Sequence, residues 1–205
     1  MARAGLDADA IVATAAVLAD AEGLAAVTLA RLATELGVRA PSLYAHIGGL
    51  DDLRRRLAAR GARELAVTLG ASAQGRAGSD ALRAVCDAYR AYARAHPGTY
   101  TAAQRPPEPS DRESADAAEA VVGVVLAVLR GYELEGEEAI HGARIVRSAL
   151  HGFVGLEIDA GFGLPISLDD TYARLVAVLD RGLASTAGGR ASEAPPGDRA
   201  GIAAH

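Results

Sequence analysis

The chain contains a single cysteine, no lysine, and an aromatic stock of six Tyr and two Phe. Lone Cys86 can neither close a disulfide within one chain nor share a metal with a second thiolate, so it reads as a small buried side chain. All 21 basic residues are arginine, a usage that fits a GC-rich coding sequence and carries no mechanistic message. Long apolar runs are missing as well. The longest, residues 121–129 with Gly123 inside it, is about half of what a membrane span needs. No signal peptide opens the chain, so a cytoplasmic protein without a membrane partner is expected. Catalytic signatures are equally scarce: there is no Gly-rich phosphate loop, no GxSxG, and no paired His or carboxylates at metal spacing. His141 and His151 lie roughly three turns apart on one predicted helix, too far to share a metal, and a structural, hydrogen-bonded role is expected for each. The chain is therefore expected to be no enzyme and to need no cofactor and no metal.

What is present is helical periodicity, in a composition 50% apolar that excludes general disorder. Leu29, Leu32, Ala33 and Leu36 repeat at i, i+3, i+4 and i+7, with Thr28 ahead of them as a cap and Gly37 behind them as a left-handed stop. After a short turn Pro41 opens a second segment running to Ile47. Leu43 and Ile47 can pack inward with Val38, which leaves Ser42, Tyr44 and His46 outward. A helix, a glycine turn and a short helix opening on proline form the layout of a helix-turn-helix. Asp7 caps an earlier helix bearing Ile11, Ala15 and Leu18, with Leu6 stapled onto Ile11. Gly48 and Gly49 precede a later one bearing Leu50, Leu53 and Leu57.

The net charge of −5 speaks against simple DNA binding, but it is unevenly spread. Residues 1–65 hold eight Arg and eight Asp or Glu, net zero, so the excess of acid lies beyond them. Within that first part Arg31, Arg39, Arg54, Arg55, Arg56, Arg60 and Arg63 outnumber Glu35, Asp51 and Asp52. That permits a basic patch, against a plain solvated helix face for the Arg54 to Arg56 triplet.

Further along, Ser79 is expected to cap a helix through Tyr89 and Tyr92 to His96, ended by Pro97 and Gly98. Residues 104–109 form a proline-rich loop. Ser110 and Glu113 suggest a capping box for a helix over 117–130, apolar nearly all round and hence central in its domain. A helix over about 137–159 carries one apolar face of Ala139, Ala143, Val146, Leu150 and Phe153. A second, of Ile145, Ala149, Gly152 and Leu156, needs a second surface to cover it. A final helix capped by Ser167 carries Tyr172, Leu175, Leu179 and Leu183, and the chain after Ser185 is expected to be disordered.

The stretches AEGLAAVTL, LARLATELGV, LYAHI and LDDL, with the run GVRAPSLYAHIGGLDDL, resemble the DNA-binding domain of TetR-type transcriptional regulators. Ile47 replaces an aromatic common after the family's His, and Leu50 replaces a lysine usually credited with a phosphate contact. ALHGFVGLE, around His151, resembles the C-terminal domain of the TetR subgroup named for a Trp-His-Gly motif, with Leu150 in place of the tryptophan. The resemblance implies an all-α protein: a helix-turn-helix domain over 1–65, then an effector-binding and dimerising bundle over 66–185, and a tail over 186–205. It implies a homodimer that binds double-stranded operator DNA, acts as a repressor, and is released by a small apolar effector. The DNA contacts expected are Thr28, Arg39, Ala40, Pro41, Ser42, Tyr44 and His46. The candidate effector residues are Tyr89, Tyr92, His96, Tyr100, Leu150, His151 and Phe153. By resemblance the last two helices dimerise, through Ile145, Ala149, Gly152, Leu156, Tyr172, Leu175 and Leu179. The alternative is a helical small-molecule-binding protein whose DNA-binding domain no longer works, suggested by the acidic net charge and by Leu50.

Overall fold

The computed structural model describes residues 6–191, and these residues are all-helical. Helix α1 (Ala8–Glu22) is capped by Asp7, whose carboxylate accepts from Ala10 N at 2.7 Å. A single 3-10 turn, Leu24–Ala26, leads into α2 (Leu29–Leu36), capped by Thr28, whose hydroxyl accepts from Arg31 N at 3.2 Å. Gly37 ends α2 at φ 65°, a left-handed conformation that a side chain would strain. The short α3 (Ala40–Leu43) follows, then the 24-residue α4 (Leu50–Ala73).

Two main hydrophobic cores result, and α4 belongs to both. Ile11, Leu18, Leu32, Leu43 and Ile47 close around Leu53 and Leu57 from its first half. Leu65 and Leu69 from its second half pack into a larger core with Leu82, Tyr89, Leu129, Val146 and Leu150. The expected division after residue 65 thus falls inside an unbroken helix. Cys86 lies fully buried in the larger core, which pushes its thiol up to about 12, with Asp87 adding to the effect, so the thiol stays protonated.

Helix α5 (Gly78–Ala95) is followed at once by α6 (Pro97–Ala103), a helix that sequence periodicity did not suggest. Pro97 and Gly98 do stop α5, but Asp20 of α1 accepts from Thr99 N at 2.7 Å and sits 3.0 Å from His96 Nδ1, and so supplies a start for α6. Docking is close: a Cβ on Gly98 would lie 2.0 Å from the Ala19 carbonyl oxygen.

Two expected caps are replaced. Ala77 precedes α5 without a side-chain bond, and Ser79 instead donates to Asp180 of the last helix at 2.6 Å. Helix α7 (Arg112–Arg130) is capped by Asp111 rather than Ser110, because that carboxylate accepts from Ser114 N and also meets Arg55 of α4 at 3.2 Å. Glu113 turns to Arg63. Nor is α7 central. It packs on α4, α5 and α8, while Val122 on its far side is 43% exposed. An apolar outline does not decide how many neighbours a helix receives.

Helices α8 (Gly136–Ile158) and α9 (Leu168–Ala191) complete the bundle. Ser167 caps α9 as expected, accepting from Asp170 N at 3.1 Å. The helix continues past the expected start of the tail at 186 as far as Ala191, and the remainder of that tail lies outside the described residues. Arg90 of α5 locks the far end: it meets Glu157 at 2.6 Å and Asp169 at 2.8 Å, and its guanidinium lies 4.7 Å from the Tyr172 ring centre. The hydrogen bond from Arg90 holds the Glu157 carboxyl below the usual carboxylate range.

Candidate DNA-facing surface and inner cavity

At the N-terminal end, Leu43 and Ile47 are buried while Ser42, Tyr44 and His46 stand exposed, Tyr44 by 61%. Thr28, Arg39 and Pro41 are exposed as well and Ala40 is half-buried, so the expected contact residues, at the start of α2 and on or beside α3, are open to solvent except for Ala40. The basic patch does not survive in the same form. Arg31 meets Glu22 and Glu35, Arg54 meets Asp51, Arg55 and Arg56 share Asp52, Arg60 meets Glu64, and Arg63 meets Glu113. Burial works against the Asp52 carboxylate, yet Gly48 N–H and the two arginines outweigh it and hold it below its usual range. Of the seven arginines in that stretch, Arg39 alone makes no ion pair with a described residue. It is the first residue before α3 and is exposed.

Between α4, α5, α7 and α8 lies a cavity of about 120 Å³, open to solvent past Val122 and Arg147. Leu65, Leu69, Val85, Val121, Val125 and Val146 supply most of the surface, and Tyr89, Gln104 and Arg147 are its polar members. Of the expected effector residues, Tyr89 and Leu150 line it. The others do not. Tyr100 is buried just behind, accepting or donating at 2.9 Å with the Tyr89 hydroxyl and at 2.7 Å with His151 Nδ1. Burial pushes both tyrosine hydroxyls above their usual range. Tyr92 and His96 face a separate open cleft against α1, with the Tyr92 hydroxyl donating to the Gly61 carbonyl at 3.2 Å. Phe153 is enclosed by Phe162, Tyr172 and Arg90 and belongs to the core. Aromatic side chains are large and can hydrogen-bond, but here small aliphatic residues leave the space and, Tyr89 apart, the expected aromatics pack elsewhere. His141 is exposed rather than held in a structural network.

On the outer side of α8, Ile145 is 57% and Leu156 50% exposed and Gly152 is open, while Ala149 packs half-buried against the larger core, so the second apolar face is present only in part. On α9 the expectation needs correction. Tyr172 and Leu179 are buried within the protomer, and the Tyr172 hydroxyl donates to the Cys86 carbonyl. Leu175 packs half-buried against the same core. A helix with one apolar stripe turns it to its own core, and the large apolar residue left outward among the described part of α9 is Val178, 56% exposed.

Comparison with known proteins agrees with this architecture. The family described as "Tetracyclin repressor-like, C-terminal domain" matches residues 82–179. The HTH-type transcriptional regulator Rv0681 of Mycobacterium tuberculosis is 40% identical over 192 residues, 92% of this chain and 88% of the relative. The HTH-type transcriptional regulator YobS of Bacillus subtilis is 39% identical over 156 residues, 75% of this chain and 80% of the relative. Among solved structures, the Streptomyces coelicolor TetR family protein ActR in complex with actinorhodin shares the fold, with a TM-score of 0.66 at 22% identity, covering 90% of this chain and 100% of that one. The described residues contain no helix long and apolar enough to cross a membrane. The chain belongs to the TetR family of transcriptional regulators.

Proposed function

We propose that the protein is a homodimeric repressor that binds operator DNA through α3 and its flanks and is released by a small, mostly apolar effector in the inner cavity. One observation carries this reading: the cavity is walled by Ala62, Leu65 and Leu69 of α4, the helix whose other end packs under the recognition segment. Ala103 and Gln104, at the end of α6, also line it, and α6 docks on α1. A molecule that changes the width of the cavity therefore pushes on the two helices that hold the DNA-binding unit. A dimer reads two half-sites about 34–36 Å apart only when its recognition helices keep that spacing. A coupling of about 1–3 kcal/mol, roughly 5–150-fold in affinity, suffices for release. The subgroup with a Trp-His-Gly motif remains the closest reading of ALHGFVGLE, with His151 tied to Tyr100 behind the cavity.

In this reading Thr28, Ser42 and Tyr44 donate to phosphate oxygens, Ala40 and Pro41 bring the backbone close, and Arg39 and His46 reach phosphate or a base edge. Arg39 carries the charge contribution because its neighbours are neutralised. Arg39→Ala is expected to weaken binding to all sequences and to reduce the salt dependence of log K by about one unit per phosphate lost, measured by fluorescence anisotropy over a salt series. Tyr44→Ala should weaken binding uniformly as well. Unchanged affinity in both folded variants would remove α3 from the interface.

A further inference from the structure

We propose that the ligand of the inner cavity is a small monocarboxylate, its apolar body inside and its carboxylate held by Arg147 at the mouth. The inference rests on the effector-cavity reading above and names the chemistry of its occupant. Arg147 is the only charged side chain among the described residues that line the cavity, and it is itself exposed, so it stands where apolar wall gives way to water. It makes no ion pair with any described residue. Arg31, Arg55, Arg56, Arg60, Arg63 and Arg90 each meet a carboxylate, whereas the guanidinium of Arg147 is left without one beside the apolar wall.

The remaining polar groups of the wall are occupied. Gln104 Nε2 donates to the Tyr100 carbonyl at 3.3 Å, and the Tyr89 hydroxyl is bonded to that of Tyr100. Arg147 is thus the one charged donor among the described lining residues, and its planar fork matches a carboxylate through two parallel N–H···O bonds. Its positive field already reaches inward, since it opposes the effect of burial on the hydroxyls of Tyr89 and Tyr100. Size limits the rest of the molecule. An apolar engineered cavity of about 150 Å³ admits benzene, so about 120 Å³ suits one ring or a short acyl chain and excludes a nucleotide. A carboxylate at the mouth keeps part of its hydration, which lowers the cost of bringing the charge in.

The test is calorimetric titration of the full chain with benzoate and hexanoate, each against its neutral amide. Wild type is expected to bind at least one acid about tenfold more tightly than the matching amide, the usual scale of a charge-assisted contact. Arg147→Met, which keeps an apolar stem of similar length, should abolish that preference while leaving amide binding unchanged, and Arg147→Lys should restore part of it. Amides bound as tightly as acids, an acid preference that survives Arg147→Met, or no acid binding at all would overturn the proposal. Operator release is read separately. Arg147-dependent acid binding without loss of DNA affinity would uphold the acid site and overturn effector release. Release of DNA by amides that bind as tightly as the acids would do the reverse.

Discussion

Gly98→Ala is expected to destabilise the protein by about 3 kcal/mol, at the upper end of the usual cost of overpacking. The new Cβ would lie 2.0 Å from the Ala19 carbonyl oxygen and 2.1 Å from its carbon, and neither backbone atom can rotate away. Relief requires α6 to lift from α1, which breaks the bonds of Asp20 to Thr99 N and to His96. DNA affinity should fall along with stability, since the DNA-binding unit is held by α4 and α6 together. Urea unfolding measures the first effect and anisotropy the second. Gly123→Ala serves as control: its Cβ meets nothing within 4 Å, and alanine in mid-helix should raise stability by up to about 1 kcal/mol. A loss below about 1 kcal/mol for Gly98→Ala would contradict the close docking of α1 and α6.

Ala149→Arg is expected to yield monomer and to lower operator affinity by about 10²–10⁴-fold, the advantage that linking two sites confers. Ala149 packs half-buried at the edge of the larger core, between exposed Ile145 and Leu156 on α8, where small residues let a second helix approach closely. A guanidinium there would have to be buried without a partner against a facing helix. Analytical ultracentrifugation at micromolar concentration reads the assembly state. A variant that remains dimeric with full DNA affinity would place the interface elsewhere than this face.

Local signals in the sequence predicted local structure well. Thr28, the stripe of Leu29, Leu32 and Leu36, and Gly37 define α2 because cap, face and stop are all encoded within a few residues. Asp7 and Ser167 succeed for the same reason. The failures are tertiary. Asp111 caps α7 in place of Ser110 because Arg55, more than fifty residues earlier, supplies its counter-charge. Ser79 leaves its cap for Asp180, about a hundred residues later. No window of sequence shows that six of seven arginines near the recognition helix would find carboxylates, or that Arg147 would not. The stripe of Tyr172 and Leu179 was legible as apolar, but which of two surfaces it covers is settled only when α5 arrives to receive it. The cavity was hardest to foresee, because it is made by what is small, namely the alanines and valines of α4, α7 and α8.

The most direct test of the central claim is an anisotropy titration of the wild-type chain, across a salt series, with DNA from around its own coding region. One dimer is expected to bind a site of two half-sites at least about 10³-fold more tightly than random DNA, with log K falling linearly as log salt rises. A folded dimer that shows no preference for any such DNA over random sequence, at any salt concentration, would contradict it.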